Sequence, residues 1–301
     1  MTTIHYDSAV SDAERRARLY AGDLFVYGPT ASSLELVELG REMVAGAFAP
    51  LDPQHAQFHL PVERYAQILG ELKPRFIHHP RCKQLLPAML RELGCDPERT
   101  YFDVPRMRTA TSGDYLSTGI AYAFHPHRDT WYSAPFCQLN WWLPMFPLRH
   151  DNSMAFHPQH WSNPLPNTSA EYNYQEWNRS SRFAAAAQIG ADTRKQPRAT
   201  EQVRADPQLR LLPPVGGIIL FSAAQLHSTV PNTSGVTRYS IDFRTVNLDD
   251  VRSLTGAPNI DSYCTGSTMG DYLRGSDLQH LPAEATAPYD AGPPQAVVSR
   301  V

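Results

Sequence analysis

The sequence has few cysteines, and their spacing pairs none of them. Cys82, Cys95, Cys137 and Cys264 form no C-x-x-C motif, which excludes a cysteine-built zinc site or a thioredoxin-like redox motif. The opening residues, M-T-T-I-H-Y-D-S-A-V, have neither a basic start nor an apolar stretch after it, so no secretory signal is expected. No apolar run approaches the roughly 20 residues a membrane-spanning helix needs. Positive charge is not in excess. Lys and Arg total 27 against 30 Asp and Glu, a net charge of -3, which argues against a nucleic-acid surface. The expectation is a cytoplasmic protein with reduced thiols and a small-molecule substrate, with no nucleic-acid partner and no membrane span. Glycine is scarce beside proline, 17 against 26, which favours loops and short elements over long helical bundles. Apolar material is plentiful. With 42% of residues hydrophobic and 19% charged, a sizeable core can be buried.

The first 99 residues read as mostly helical. S-S-L-E from Ser32 suggests a capping box before a helix reaching Phe48. Val62, Tyr65, Ile68, Leu69 and Leu72 share one helical stripe, and Leu85, Leu86, Met89, Leu90 and Leu93 another, with Pro87 near its start. Residues 24–27 suggest an edge strand. From residue 100 the pattern changes to short β-branched and aromatic runs at 100–104, 119–124, 136–143, 154–156, 215–221 and 236–246, separated by turn residues. That pattern indicates an antiparallel sandwich or barrel. The polar but aromatic stretch 161–207 interrupts it. We expect one catalytic domain over 1–281, comprising a helical flank (1–99), a β core (100–250) holding that insertion, and an extension (251–281). A flexible Ala- and Pro-rich tail (282–301) would follow. The insertion is too aromatic for a linker, and a role as a lid over the barrel mouth is expected of it.

The chemistry concentrates in A-F-H-P-H-R-D-T-W, starting at Ala123. On a strand, His127 and Asp129 would point to the same face. A third ligand, His227, follows the apolar run G-I-I-L-F-S from Gly217. Two histidines and a carboxylate on one face of an ion suit iron(II) and oxygen chemistry. An H-x-D pair alone is common, and His125, His157 and His160 offer other combinations. The sequence beyond His227 carries further information. Arg238 lies 238 − 227 = 11 residues on, and a hairpin through 231–235 would return the chain beside His227. Arg238 and Ser240 would then share a face and offer a fork and a hydroxyl to a carboxylate. Arg244 reads as a solvent-facing arginine.

H-x-D, a distant histidine and R-x-S about eleven residues later resemble the iron(II)/2-oxoglutarate-dependent dioxygenases. The segment from Gly217 through L-H-S at His227 to R-Y-S-I-D-F-R at Arg238 resembles the phytanoyl-CoA dioxygenase-like branch. So does N-S-M-A-F-H-P-Q-H from Asn152, although P-Q-H stands where that branch has P-G-S-H. The resemblance covers about residues 100 to 250. It implies a mainly β fold, a double-stranded β-helix (jelly roll, cupin-like barrel), preceded by N-terminal helices. It implies iron(II) held by His127, Asp129 and His227, with 2-oxoglutarate and O2 as co-substrates. Arg238, with Ser240, would take the C5 carboxylate of 2-oxoglutarate, and Thr229 would touch the same molecule. The implied reaction is oxidative decarboxylation coupled to hydroxylation of an unactivated C–H bond.

The substrate is expected to be a small anionic metabolite: a sugar acid such as Kdo, an amino acid or a natural-product intermediate. Tyr122, Trp131, Trp142 and Arg149 are its candidate contacts, since aromatics at a barrel mouth stack on rings and arginines receive anions. The alternative is a metal-binding cupin-type isomerase or a sugar-binding module without oxygenase activity, which would need no Arg238–Ser240 pair.

Overall fold

The computed structural model describes residues 2–295. Four helices dominate the N-terminal third: α1 (Asp12–Tyr20), α2 (Ala31–Phe48), α3 (Val62–Ile77) and α4 (Pro80–Glu92). Helix α2 starts one turn-edge earlier than the sequence suggested. Thr30 is its cap and Ser33 completes the reciprocal box, so donors at the helix start are satisfied by side chains. Tyr65, Ile68, Leu69 and Leu72 form the buried stripe of α3 as expected. Pro87 sits inside α4, not near its start. Pro80 opens that helix, where a missing N–H is harmless.

The rest is mainly β: β1 (Ile4–Tyr6), β2 (Leu24–Tyr27), β3 (Thr100–Phe102), β4 (Arg106–Ala110), β5 (Leu139–Pro144), β6 (Met154–Phe156), β7 (Ile218–Ser222), β8 (His227–Thr229), β9 (Arg238–Asn247) and β10 (Leu273–Arg274). Eight strands form one mixed sheet in the order β1-β2-β7-β5-β9-β3-β10, with β4 also paired to β9. Only β1 and β2 run parallel. Strand β2 is therefore not an edge, because the short β1 covers it. Residues 119–124 are not a strand but a 3-10 turn followed by coil. A second, two-stranded sheet pairs β6 with β8, and single bridges at His127–His227 and Phe156–Leu209 widen it. The large sheet is open, ending at β1 and β10, so the expected barrel does not close among the described residues.

Side-chain alternation assigns each face of the large sheet a different job. Phe25, Leu139, Trp141, Leu220, Ile241 and Phe243 point into the main core against the helices. On the other face Leu24, Val26, Trp142, Ile219 and Phe221 meet Met154 and Phe156 of the small sheet. Phe156 and Phe221 pack edge to face at 5.0 Å. This second core fills only one end of the space between the sheets. At the other end, under β4, β5 and β9, the space remains a cavity.

Three shorter helices complete the fold: α5 (Tyr174–Ser180), α6 (Leu248–Ser253) and α7 (Ala283–Thr286). Residues 283–289, expected to be part of a flexible tail, are helical. Tyr289 is buried there and donates to the Val251 carbonyl. Residues 290–295 carry no helix or strand, and the last part of that expectation, at 296–301, lies outside the described residues.

Candidate metal centre and its cavity

His127 and His227 are joined by a pair of backbone hydrogen bonds, each nitrogen donating to the other's carbonyl at 3.0 Å. They are thus directly opposed residues of an antiparallel pair, which brings their side chains to one face. Their rings lie 4.3 Å apart between centroids. Asp129 arrives differently from the strand expectation. It opens a 3-10 turn, Asp129–Tyr132, anchored by its own N–H to the Ala223 carbonyl. The turn still brings Asp129 Oδ1 to 3.4 Å from His127 Nε2 and 3.9 Å from His227 Nε2. Two donors each about 2.1 Å from one ion can be no more than roughly 4.2 Å apart, so both separations admit a shared ion. His127, Asp129 and His227 form the group able to hold a metal among the described residues.

The surroundings prepare each donor atom. His127 Nδ1 lies 2.8 Å from the His125 carbonyl and His227 Nδ1 2.9 Å from the Gln225 carbonyl. With Nδ1 donating to a carbonyl, Nε2 carries the lone pair. Burial, reinforced by the neighbouring His127, pushes the His227 pKa down to about 4, so the ring is neutral at neutral pH. Burial alone would raise the Asp129 pKa. The contact with His127 and the charge of Arg244 outweigh it and hold the carboxyl well below its usual range. Its other oxygen, Oδ2, accepts from Asn140 Nδ2 (2.9 Å) and Gln138 Nε2 (3.3 Å), with Arg244 Nε at 3.8 Å. Gln138 is in turn held by the Tyr272 hydroxyl at 2.7 Å. One oxygen of the carboxylate is thus fixed by protein and the other faces the histidines. Arg244 therefore does not face solvent as its sequence position suggested: it is bound to Asp103 and leans on Asp129.

The triad opens into a cavity of about 370 Å3 lined also by Arg238, Ser228, Thr229, Trp142 and Arg244. Strands β8 and β9 are not a hairpin, because the chain crosses from the small sheet to the large one between them. Arg238 consequently reaches the cavity from the wall facing His227. It is only 6% exposed and stacks over Trp142 at 5.4 Å. Its Nη1 donates to Ser240 Oγ at 3.1 Å, but its buried Nε has no partner. Burial pushes its pKa down to about 10, which leaves it a cation at neutral pH. A buried guanidinium with an unpaired donor calls for an anion.

Of the candidate substrate contacts, Tyr122 and Trp142 line the cavity. Trp131 and Arg149 do not line it. Trp131 is fully buried and donates from Nε1 to Asp261, and Arg149 is exposed near Asp151. His157 and His160 are used structurally, bonded to Ser228, Ala205 and Arg204, while His125 is exposed. From the insertion 161–207, Tyr172, Tyr174, Trp177, Arg194 and Gln196 line the cavity. The insertion is clamped to the 117–124 loop. Thr118 donates to the Gln188 carbonyl, and a Cβ on Gly119 (φ +58°) would meet Ala185 O at 2.3 Å. Only glycine fits there.

No family model matches the sequence, and no curated protein matches it. Among solved structures it is similar to EvdO2 from Micromonospora carbonacea var. aurantiaca, at 13% identity over 81% of this chain and 93% of that one, TM-score 0.45. EvdO2 complexed with 2-oxoglutarate gives 14%, 80%, 92% and 0.43. The epimerase SnoN in complex with Fe3+, alpha ketoglutarate and nogalamycin RO gives 14%, 95%, 96% and 0.42. At these identities and TM-scores the likeness carries no argument about activity, which rests on the site itself.

Proposed function

We propose that this chain is a non-haem iron(II) oxygenase that couples oxidative decarboxylation of 2-oxoglutarate to hydroxylation of a small anionic metabolite. In this reading the two sheets form a double-stranded β-helix within one catalytic domain. The observation that carries the proposal is the placement, in one cavity, of the His127–Asp129–His227 cluster and the buried, incompletely paired Arg238.

The donor set fits the ion. Two imidazoles and one carboxylate on one side leave open positions for a chelating acid and oxygen. When bound, iron(II) with 2-oxoglutarate and O2 supplies decarboxylation to succinate and oxidation of a substrate C–H bond. The protein's part is positional. Asn140 and Gln138 restrain Asp129 to one free oxygen. Arg238 and Ser240 receive the far carboxylate of 2-oxoglutarate, with Thr229 beside them. The aromatic insertion limits water at the mouth. A metal-binding isomerase or sugar-binding module would leave the unpartnered Nε of Arg238 without a purpose.

The test is succinate formation from 2-oxoglutarate with iron(II), ascorbate and air while candidate acids are screened. The proposal expects succinate to rise with one acid, which gains an oxygen. A correctly folded, iron-loaded protein that never consumes 2-oxoglutarate would overturn it.

A further inference from the structure

A second cationic feature of the cavity is not used by the reading above. Lys73 of α3 and Arg108 of β4 both line the cavity, with Asp242 as their shared counter-charge. Arg108 holds that carboxylate through Nε and Nη2. The Lys73 ammonium has three N–H donors, yet its one hydrogen bond among the described residues goes to the Ile120 carbonyl. Because Arg108 engages that carboxylate directly, a protonated Lys73 has no carboxylate of its own. Half-burial makes that imbalance costly until an anion arrives. A ligand carboxylate would supply the missing counter-charge and hold the lysine protonated.

The other wall is aromatic and runs outward from the triad. The Tyr132 ring lies 5.5 Å from that of His127, Tyr172 lies 5.4 Å from Tyr132, and Trp177 lies 5.9 Å from Tyr172. Phe124 stacks on His127 at 4.9 Å, and the Arg108 guanidinium sits over Phe124 at 5.4 Å. The cationic and aromatic walls therefore meet at Phe124, beside the triad. A flat ring on such a wall gains apolar burial and stacking.

We propose that the substrate is a ring-bearing carboxylic acid, its carboxylate docked between Lys73 and Arg108 and its ring against Tyr132, Tyr172 and Trp177. The inference rests on the oxygenase reading only in leaving Arg238 to the co-substrate.

Phenylacetate and phenylacetamide, equal in shape and different in charge, serve as probes. Calorimetric titration of the full chain reads their binding without turnover. Succinate formation, scored separately, reports on the oxygenase reading. Phenylacetate should bind at least about tenfold more tightly than the amide, as expected of a hydrogen-bonded charge. Lys73→Met should abolish that preference while leaving amide binding unchanged, which also certifies the fold. Lys73→Arg should keep the preference, and so should Arg238→Met. The proposal is overturned if wild-type protein binds neither probe or binds both alike, or if the preference survives Lys73→Met. Loss of the preference in Arg238→Met alone would likewise overturn it, by assigning the acid to the other arginine.

Discussion

Strand β9 presents two opposed faces within ten residues. Tyr239, Ile241 and Phe243 point into the helix-covered core, where burial of apolar surface stabilises the fold. Arg238, Ser240, Asp242 and Arg244 alternate with them, and Arg238, Asp242 and Arg244 line the cavity. The apolar face is satisfied by packing alone. The polar face is buried almost as deeply but is completed only in part, with an orphaned guanidinium nitrogen at Arg238. Buried polar groups cost stability unless partnered. A face that keeps them incompletely partnered is organised for a ligand.

Substitutions on the two faces should therefore separate chemistry from stability. The largest effect is expected at the triad. Asp129→Ala removes one of three donors, so succinate formation should fall to background while circular dichroism reports an intact fold. Near-normal turnover would break the assignment. On the apolar face, Ile241→Ala leaves a cavity and should cost about 2–5 kcal/mol. Chemical denaturation reads this, and the folded fraction should keep its metal affinity. Asn140→Ala lies between the two cases. It frees the restrained oxygen of Asp129, and second-layer losses of this kind weaken metal binding by roughly 10–100-fold. Direct metal titration checks this, and unchanged affinity would make Asn140 a packing residue.

The smallest effect is expected at Lys73 and depends on pH. Burial first, and then Arg108, push its pKa down to about 7 from 10.5. Between those values the unfolded chain holds a proton that the folded protein has released, so this group makes stability rise with pH across the window. Lys73→Met lacks that dependence. It should melt higher than wild type at pH 6, by a few degrees at ~2–4 °C per kcal/mol, and the difference should shrink towards pH 10. A difference independent of pH would mean the lysine is not buried as a charge.

Much of this was legible in the sequence, but not for every reason given. The candidate triad and the Arg238–Ser240 pair were found by spacing, and the structure brings His127, Asp129, His227 and Arg238 to one cavity, with Ser240 buried against Arg238. The local geometry differed, because Asp129 sits in a 3-10 turn and His227 and Arg238 belong to different sheets. Spacing along a chain does not say which sheet a turn leads to. Arg244 was misread although its signal was present. It shares parity with Arg238 in R-Y-S-I-D-F-R, so a strand that aims one at the cavity aims both. Strand β4 was missed because R-M-R-T-A carries charge on alternate positions, where its arginines meet β9 across the register. The Asp129 supports from Gln138 and Asn140 follow the same parity rule. Tyr272, more than a hundred residues away, had no local signal.

The central claim is that one cavity joins a metal triad to a carboxylate socket at Arg238. It is tested most directly by comparing 2-oxoglutarate with 2-oxopentanoate, which has a methyl group in place of the C5 carboxylate, as ligands of the manganese(II)-loaded protein. Loss of one member of a desolvated charge pair costs about 2–5 kcal/mol, so wild type should prefer 2-oxoglutarate by roughly thirtyfold or more. Arg238→Ala should bind the two acids alike. Equal affinities in the wild type, or a preference that persists in Arg238→Ala, would contradict the account.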